Sequence, residues 1–97
     1  MAISFAQSER STLGVEWELQ LIDVDSEDLR QCAGAILSEI SARYPDDTLT
    51  HGEMLRNTIE LVSRKQTRVS DAIADLNEGL DLLRPVTSAL RVDLTGA

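Results

Sequence analysis

The chain is poor in the residues that usually announce a chemistry. Among its 97 residues there is one cysteine, Cys32, and one histidine, His51. A lone cysteine excludes an intramolecular disulfide, and paired-cysteine zinc spacing is absent with it. One His and one Cys do not make a nucleophile triad. Neither common Gly-rich phosphate-binding pattern occurs. Phe5, Trp17 and Tyr44 are the only aromatic residues, so aliphatic side chains must supply the core. No apolar run approaches a membrane span, and Met1–Arg10 lacks the apolar centre of a signal peptide. Together these features lead us to expect a cytoplasmic protein.

Positive charge is also scarce. Nine Lys and Arg face 17 Asp and Glu, for a net charge of −8. That balance argues against nucleic acid, which calls for a basic footprint, and against an anionic membrane surface. The charge is uneven. Residues 1–48 hold ten acids and three bases, whereas residues 49–97 hold seven acids and six bases. The length allows one domain, 1–97, with one modest core.

What the sequence does contain is a pattern. From Leu13 to Leu21, the residues Leu13, Val15, Trp17, Leu19 and Leu21 alternate with Gly14, Glu16, Glu18 and Gln20. Period-2 alternation predicts a half-buried strand over about Thr12–Asp23. It places Glu16 and Glu18 on one face, about 7 Å apart along the strand. Glutamate is a poor strand former. Two readings stand side by side: a solvated strand face, or a divalent-metal or phosphate-chemistry site.

The rest of the chain reads as β-α-β-α with a strand beginning at the end. Ser26 is expected to cap a first helix, with Glu27 and Asp28 in its first turn. Leu29, Cys32, Ala33, Ile36, Leu37, Ile40 and Tyr44 form its apolar stripe, and Pro45 ends it. A second strand is expected within Met54–Ser63. Arg64–Arg68 reads as a polar loop, solvated or touching a phosphate or partner. Ser70-Asp71 should cap a long helix with Val69, Ile73, Leu76, Leu80, Leu83 and Leu90 as its stripe, kinked or restarted at Pro85. Val92-Asp93-Leu94 alternates like a new strand. A chain ending just after a strand either pairs its edges with another chain or is a piece of something longer.

In a regular second strand, Glu60 shares a face with Arg56, Thr58, Met54 and Val62, while Glu53 and Asn57 take the other face. If the two strands are neighbours, Glu60 approaches Glu16 and Glu18. Three carboxylates near one point suit Mg²⁺, which prefers hard oxygen ligands. Trp17 faces away from the glutamates and reads as core. Cys32 reads as a buried structural thiol, and His51 as an exposed turn residue rather than a ligand or base.

The same residues carry a family resemblance. Thr12-Leu13-Gly14-Val15-Glu16-Trp17-Glu18-Leu19-Gln20-Leu21, followed by Glu53-Met54-Leu55-Arg56-Asn57-Thr58-Ile59-Glu60-Leu61-Val62, resembles the N-terminal part of the type 2 glutamate–cysteine ligases, or carboxylate–amine ligases, of the actinobacterial kind. The resemblance implies an α+β, glutamine-synthetase-like, mostly antiparallel sheet backed by helices. It also implies ATP-dependent formation of a γ-glutamyl amide through an acyl phosphate, with Mg²⁺ as cofactor. The substrates would be ATP, glutamate and an amine such as cysteine. By this resemblance Glu16, Glu18, Glu60 and Glu53 match metal-binding acids, and Arg56 and Asn57 match catalytic motif positions. There are departures. Ser63-Arg64-Lys65-Gln66 stands where the family has Thr-Gly-Val-Cys, and Thr95-Gly96-Ala97 falls where it runs into Gly-Thr-His-Pro. An isolated chain of this extent is expected to be inactive and to self-associate as a homo-oligomer. The rival reading is a ligase-derived binding or oligomerisation module without chemistry.

Overall fold

A computed structural model describes residues 2–7 (backbone only), 12–53 and 56–96. Five strands and two helices follow one another as β1 (Ala2–Gln7), β2 (Leu13–Asp23), α1 (Ala33–Arg43), β3 (Thr50–Gly52), β4 (Thr58–Val62), α2 (Val69–Ala89) and β5 (Val92–Gly96). The class is α+β. The sheet runs β1-β2-β4-β3, with β5 also on β2, and every pairing is antiparallel.

Strand β2 is the spine. Its residues 16–18 pair with both β1 and β4, and its residues 19–20 pair with both β4 and β5. A strand has two edges, so β1 and β5 must share the edge opposite β4, end to end. Ala2 stands across from Glu18 and Gly96 from Leu19.

The period-2 pattern decides which face is covered. Val15, Leu19 and Leu21 of β2 are buried with Ile59 and Leu61 of β4. Ile36 and Ile40 of α1 and Leu76 and Leu83 of α2 complete the core. Each such side chain removed from water stabilises the fold by about 1.5–3 kcal/mol. Helix α2 can settle closely on β4 because Gly79 has no side chain; a Cβ there would lie 2.9 Å from Leu61 Cδ2. Trp17 is half-buried and packs against this core, as its side of the strand predicts.

Several local expectations fail for identifiable reasons. Helix α1 begins at Ala33 with Cys32 as N-cap, not at Ser26. Asp23 Oδ1 accepts the backbone N–H groups of Asp25 and Ser26, folding this segment into a turn instead. Glu27 follows in a left-handed conformation, φ 63°, which no helix start accommodates. Leu29 accordingly bridges Ile22 and is 51% exposed rather than lying on a helix stripe. Helix α2 begins at Val69, before Ser70, with Arg68 as N-cap, and Val69 is exposed. Pro85 lies inside α2 and neither breaks nor restarts it.

Two strands went unanticipated. Strand β1 carries a short alternation of Ile3 and Phe5 with small residues. Strand β3 is three residues long, below what a periodicity argument can detect. The second expected strand is shorter than its range, because Arg56 and Asn57 form a turn before β4; Met54 and Leu55 lie outside the described residues.

Candidate functional site on the acidic sheet face

The alternation that buries Val15 and Leu19 sends Glu16, Glu18 and Gln20 to the opposite face, which neither α1 nor α2 covers among the described residues. Directly opposed residues of an antiparallel pair share a face. Glu18 stands opposite Glu60, and Glu16 opposite Val62. The expected approach of Glu60 to the β2 glutamates therefore occurs. Cross-strand partners of this kind have Cβ atoms about 4.5–5.5 Å apart.

Glu53 joins them, against the regular-strand expectation that put it on the other face. Glu53 directly follows β3, two residues after His51, which stands opposite Glu60, so it comes to the Glu60 face from the neighbouring strand rather than from β4. Glu60 is half-buried, and the carboxyls of Glu53 and Glu16 lie close to its own. A hydrogen bond to Glu53, burial, the hydrogen bond to Glu16 and repulsion from both charges push the Glu60 carboxyl up to about 8. Two carboxylates in contact share a proton most cheaply, which is why one of them stays neutral. Among the described residues, none of the ion pairs of the molecule involves Glu16, Glu18, Glu53 or Glu60.

His51 extends the same row, since it stands opposite Glu60 on β3. It is exposed, as expected, but it is a strand residue rather than a turn residue. Its Nε2 lies 2.7 Å from the Thr48 carbonyl oxygen. A carbonyl only accepts, so Nε2 carries the proton in that bond and Nδ1 is left as an acceptor in the neutral ring. Val62 shares the face, so the surface is not wholly polar.

The positions expected to be catalytic are placed differently. Arg56 and Asn57 lie in the turn before β4, and the bonds fixed there are backbone ones. The Arg56 carbonyl accepts from Ala33 N at 3.0 Å, anchoring the start of α1. The Asn57 carbonyl accepts from Leu21 N at 2.8 Å.

The basic segment is not merely solvated. Arg64 Nη1 donates to Asp75 Oδ1 at 2.8 Å, and Nη2 donates to Glu78 Oε2 at 2.7 Å. Both ion pairs tie Arg64 to α2. Cys32 is half-buried against the core, and burial pushes its thiol up, in keeping with a structural role.

The donor set has the chemistry of a hard-cation site: carboxylate oxygens, crowded, with repulsion that a divalent cation would relieve. As the side chains stand, no group of three or more His, Cys, Asp or Glu among the described residues could hold a metal ion. The acids are gathered on one face without being arranged around one point. No described helix is long and apolar enough to cross a membrane.

An α+β chain with an uncovered, acid-lined sheet face fits a ligand-handling protein better than a nucleic-acid binder. No protein-family model matches the chain. Comparison with curated proteins is more specific. The chain is 42% identical over 95 residues, 97% of its length, to the "Putative glutamate–cysteine ligase 2-2" of Rhodococcus jostii (strain RHA1). It is 42% identical over 96 residues, 99% of its length, to the "Putative glutamate–cysteine ligase 2-3" of Nocardioides sp. (strain ATCC BAA-499 / JS614). It is 39% identical over 94 residues, 97% of its length, to the "Putative glutamate–cysteine ligase 2" of Corynebacterium glutamicum (strain R). The chain spans about a quarter of the length of these relatives: 25%, 26% and 25%. Nearly the whole chain is thus similar to a part of this ligase family, consistent with an N-terminal segment of it.

Proposed function

We propose that this chain is the metal-holding N-terminal part of an ATP-dependent carboxylate–amine ligase of the glutamate–cysteine ligase type. The observation that carries the reading is the meeting of Glu60 with Glu16 and Glu53, opposite Glu18, on a face that neither described helix covers. The named relatives support the class. The reaction would join an acid such as glutamate to an amine such as cysteine. The γ-phosphoryl group of ATP passes to the substrate carboxylate, and the amine then displaces phosphate from that acyl phosphate.

The residues divide the work as follows. Glu16, Glu18, Glu53 and Glu60 would hold Mg²⁺ through carboxylate oxygens. A bound Mg²⁺ supplies charge neutralisation between the nucleotide phosphates and the substrate carboxylate, which otherwise repel each other. Strands β2 and β4 hold Glu16, Glu18 and Glu60 on one face, and these side chains would have to converge further to surround a cation. Arg56 and Asn57 border this floor from the turn before β4, and we assign them to substrate contact. The remaining three quarters of a relative's length would supply the rest of the nucleotide site. This chain alone would be inactive.

A non-catalytic assembly module is the second reading, favoured by the lack of a ready three-donor arrangement among the described residues. The experiment is to express the longer protein that contains this segment and follow ADP release with Mg²⁺, glutamate and a panel of amines. Amine-dependent ADP release that is lost in Glu16→Gln supports the ligase. A well-folded longer protein with no such release under any amine supports the module.

A further inference from the structure

The ladder between β2 and the end of β4 gains one residue on the β4 side. The register that sets Glu16 opposite Val62 would carry Leu13 to Lys65. Leu13 instead bridges Gln66, and the two exchange backbone bonds at 2.7 and 3.0 Å. Val15 still faces Ser63, whose N–H donates to the Val15 carbonyl at 2.8 Å. Arg64 and Lys65 therefore stand together against the single residue Gly14, which is a β-bulge. Side chains hold this bulge. Ser63 Oγ accepts from Val15 N at 2.9 Å and donates to the Arg64 carbonyl at 2.9 Å. Asp75 accepts the Arg64 N–H at 2.9 Å, and the Arg64 guanidinium pairs with Asp75 and Glu78 of α2.

A bulge re-aims the residues around it. In an unbroken ladder Lys65 would stand opposite Leu13, which packs against the core. With the extra residue, Gln66 takes that place and sends its amide to Asp75 on the helix side. Successive side chains of an extended chain alternate in face, so Lys65 turns to the other side, where Glu16, Glu18 and Glu60 lie. It is exposed there, opposite a glycine whose missing Cβ would have nothing within 4 Å. Along β2, Gly14 precedes Glu16 by two residues, about 7 Å. Lys65 is the only lysine of the chain, and none of the ion pairs among the described residues involves it.

We propose that Lys65 contacts the phosphate chain of the nucleotide beside Glu16, an inference that rests on the ligase reading above. A nucleoside triphosphate is strongly anionic, and the face it approaches is lined with acids. Mg²⁺ on carboxylates keeps positions open for substrate phosphates, so phosphate oxygens come to lie next to Glu16. A lysine is a compact charge with three donors on a flexible stem, suited to meeting them from the neighbouring strand. Gly14 leaves room above the sheet that a side chain would fill. Arg64 anchors the bulge, and Lys65 is what the bulge presents. The resemblance to the ligase family does not supply this lysine, because Ser63-Arg64-Lys65-Gln66 is where the chain departs from the family pattern.

The test uses the longer protein that contains this segment. Calorimetry with Mg²⁺ and a non-hydrolysable ATP analogue, bearing a methylene between the β- and γ-phosphorus, reads binding apart from turnover. Lys65→Gln should weaken that binding about tenfold or more and raise the KM for ATP in step. The KM for the acid substrate and the melting temperature should not change. Lys65→Arg, which keeps the charge, should recover most of the binding. A second measurement needs no variant, and so stands even if Lys65→Gln misfolds. Acetylation of the parent by an N-hydroxysuccinimide ester, read at residue 65 by peptide mass spectrometry, should be suppressed by saturating analogue. Equal analogue binding by the parent and a folded Lys65→Gln overturns this inference alone. So does acetylation of Lys65 that ignores the analogue. A rise confined to the KM for the acid substrate also overturns it, by assigning Lys65 to the substrate carboxylate. A longer protein that neither binds the analogue nor releases ADP overturns the ligase reading and this inference together.

Discussion

Two carboxyl groups, the buried Asp75 and the half-buried Glu60, sit on opposite sides of this sheet and live in opposite company. Asp75 on α2 is 7% exposed and receives three donors: Arg64 N at 2.9 Å, Arg64 Nη1 at 2.8 Å and Gln66 Nε2 at 2.8 Å. Burial alone would push its carboxyl up, but those donors outweigh it and hold the group below the usual carboxylate value. Glu60 on β4 meets Glu53 and Glu16, and is pushed up to about 8. An acid that exists to hold a fold together is given donors. An acid surrounded by acids weakens the fold at neutral pH, and such a cost is typical of sites that await a ligand. Asp75 also anchors structure: with Ser63 and Gln66 it ties the loop after β4 to the start of β2, where Leu13 and Gln66 exchange backbone bonds.

The contrast can be broken most severely through function. In the longer ligase, Glu16→Gln or Glu18→Gln should cut turnover by orders of magnitude while leaving the melting temperature unchanged or higher. Steady-state ADP release alongside thermal melts would show it. A variant that loses stability in step with activity would place these glutamates with Asp75, as structural acids.

Next in size is the structural acid itself. Asp75→Ala leaves the Arg64 and Gln66 donors without their acceptor, and should cost about 2–4 kcal/mol in a urea titration. A midpoint within error of the parent would mean that water replaces the carboxylate at no cost.

The pH dependence should split the two regions in sign. Glu60 titrates higher in the fold than its ordinary 4.5. Its contribution is therefore fully present below about 4.5 and is lost as pH rises through about 8. Asp75 titrates below its ordinary 3.8, so its contribution is present above that value and is lost on acidification through its lowered value. The melting temperature of the metal-free chain should fall steadily as pH rises from about 5 to about 8 and level off above that. Glu60→Gln should flatten that fall, and Asp75→Asn should not. An alkaline fall that persists in Glu60→Gln would assign it to another group.

The smallest effect is metal binding by this chain alone. Mg²⁺ dehydrates reluctantly and ordinarily shares its shell with substrate phosphates. We therefore expect only millimolar affinity, seen as a modest rise in melting temperature that Glu60→Gln removes. Submicromolar binding by calorimetry would show that the acids form a complete site without nucleotide.

How far the sequence speaks depends on the range of the interaction that decides each feature. The strand β2, the opposition of Trp17 to Glu16 and Glu18, the end of α1 at Pro45 and the long α2 were all legible. A repeat of two or 3.6 residues is imposed by backbone geometry and burial, both local. The acid pair was legible for the same reason, and Glu60 became so once β2 and β4 were taken as neighbours. The start of α1 was not legible, because Ser26 followed by Glu27 and Asp28 reads equally as a helix cap. Only the competing bonds from Asp23 and the Arg91–Asp25 ion pair across the turn, 2.6 Å, settle it as a turn. Nor was Glu53's side of the sheet legible. Glu53 follows the three-residue β3 rather than belonging to β4, and a strand that short leaves no periodic trace. The sequence by itself determined which residues turn inward, since that needs only alternation and hydrophobicity. The tertiary structure alone decided which charges meet. Glu60 reaches Glu53 and Glu16, and Arg64 reaches Asp75, through strand register and chain reversal, and these depend on contacts between residues far apart in sequence.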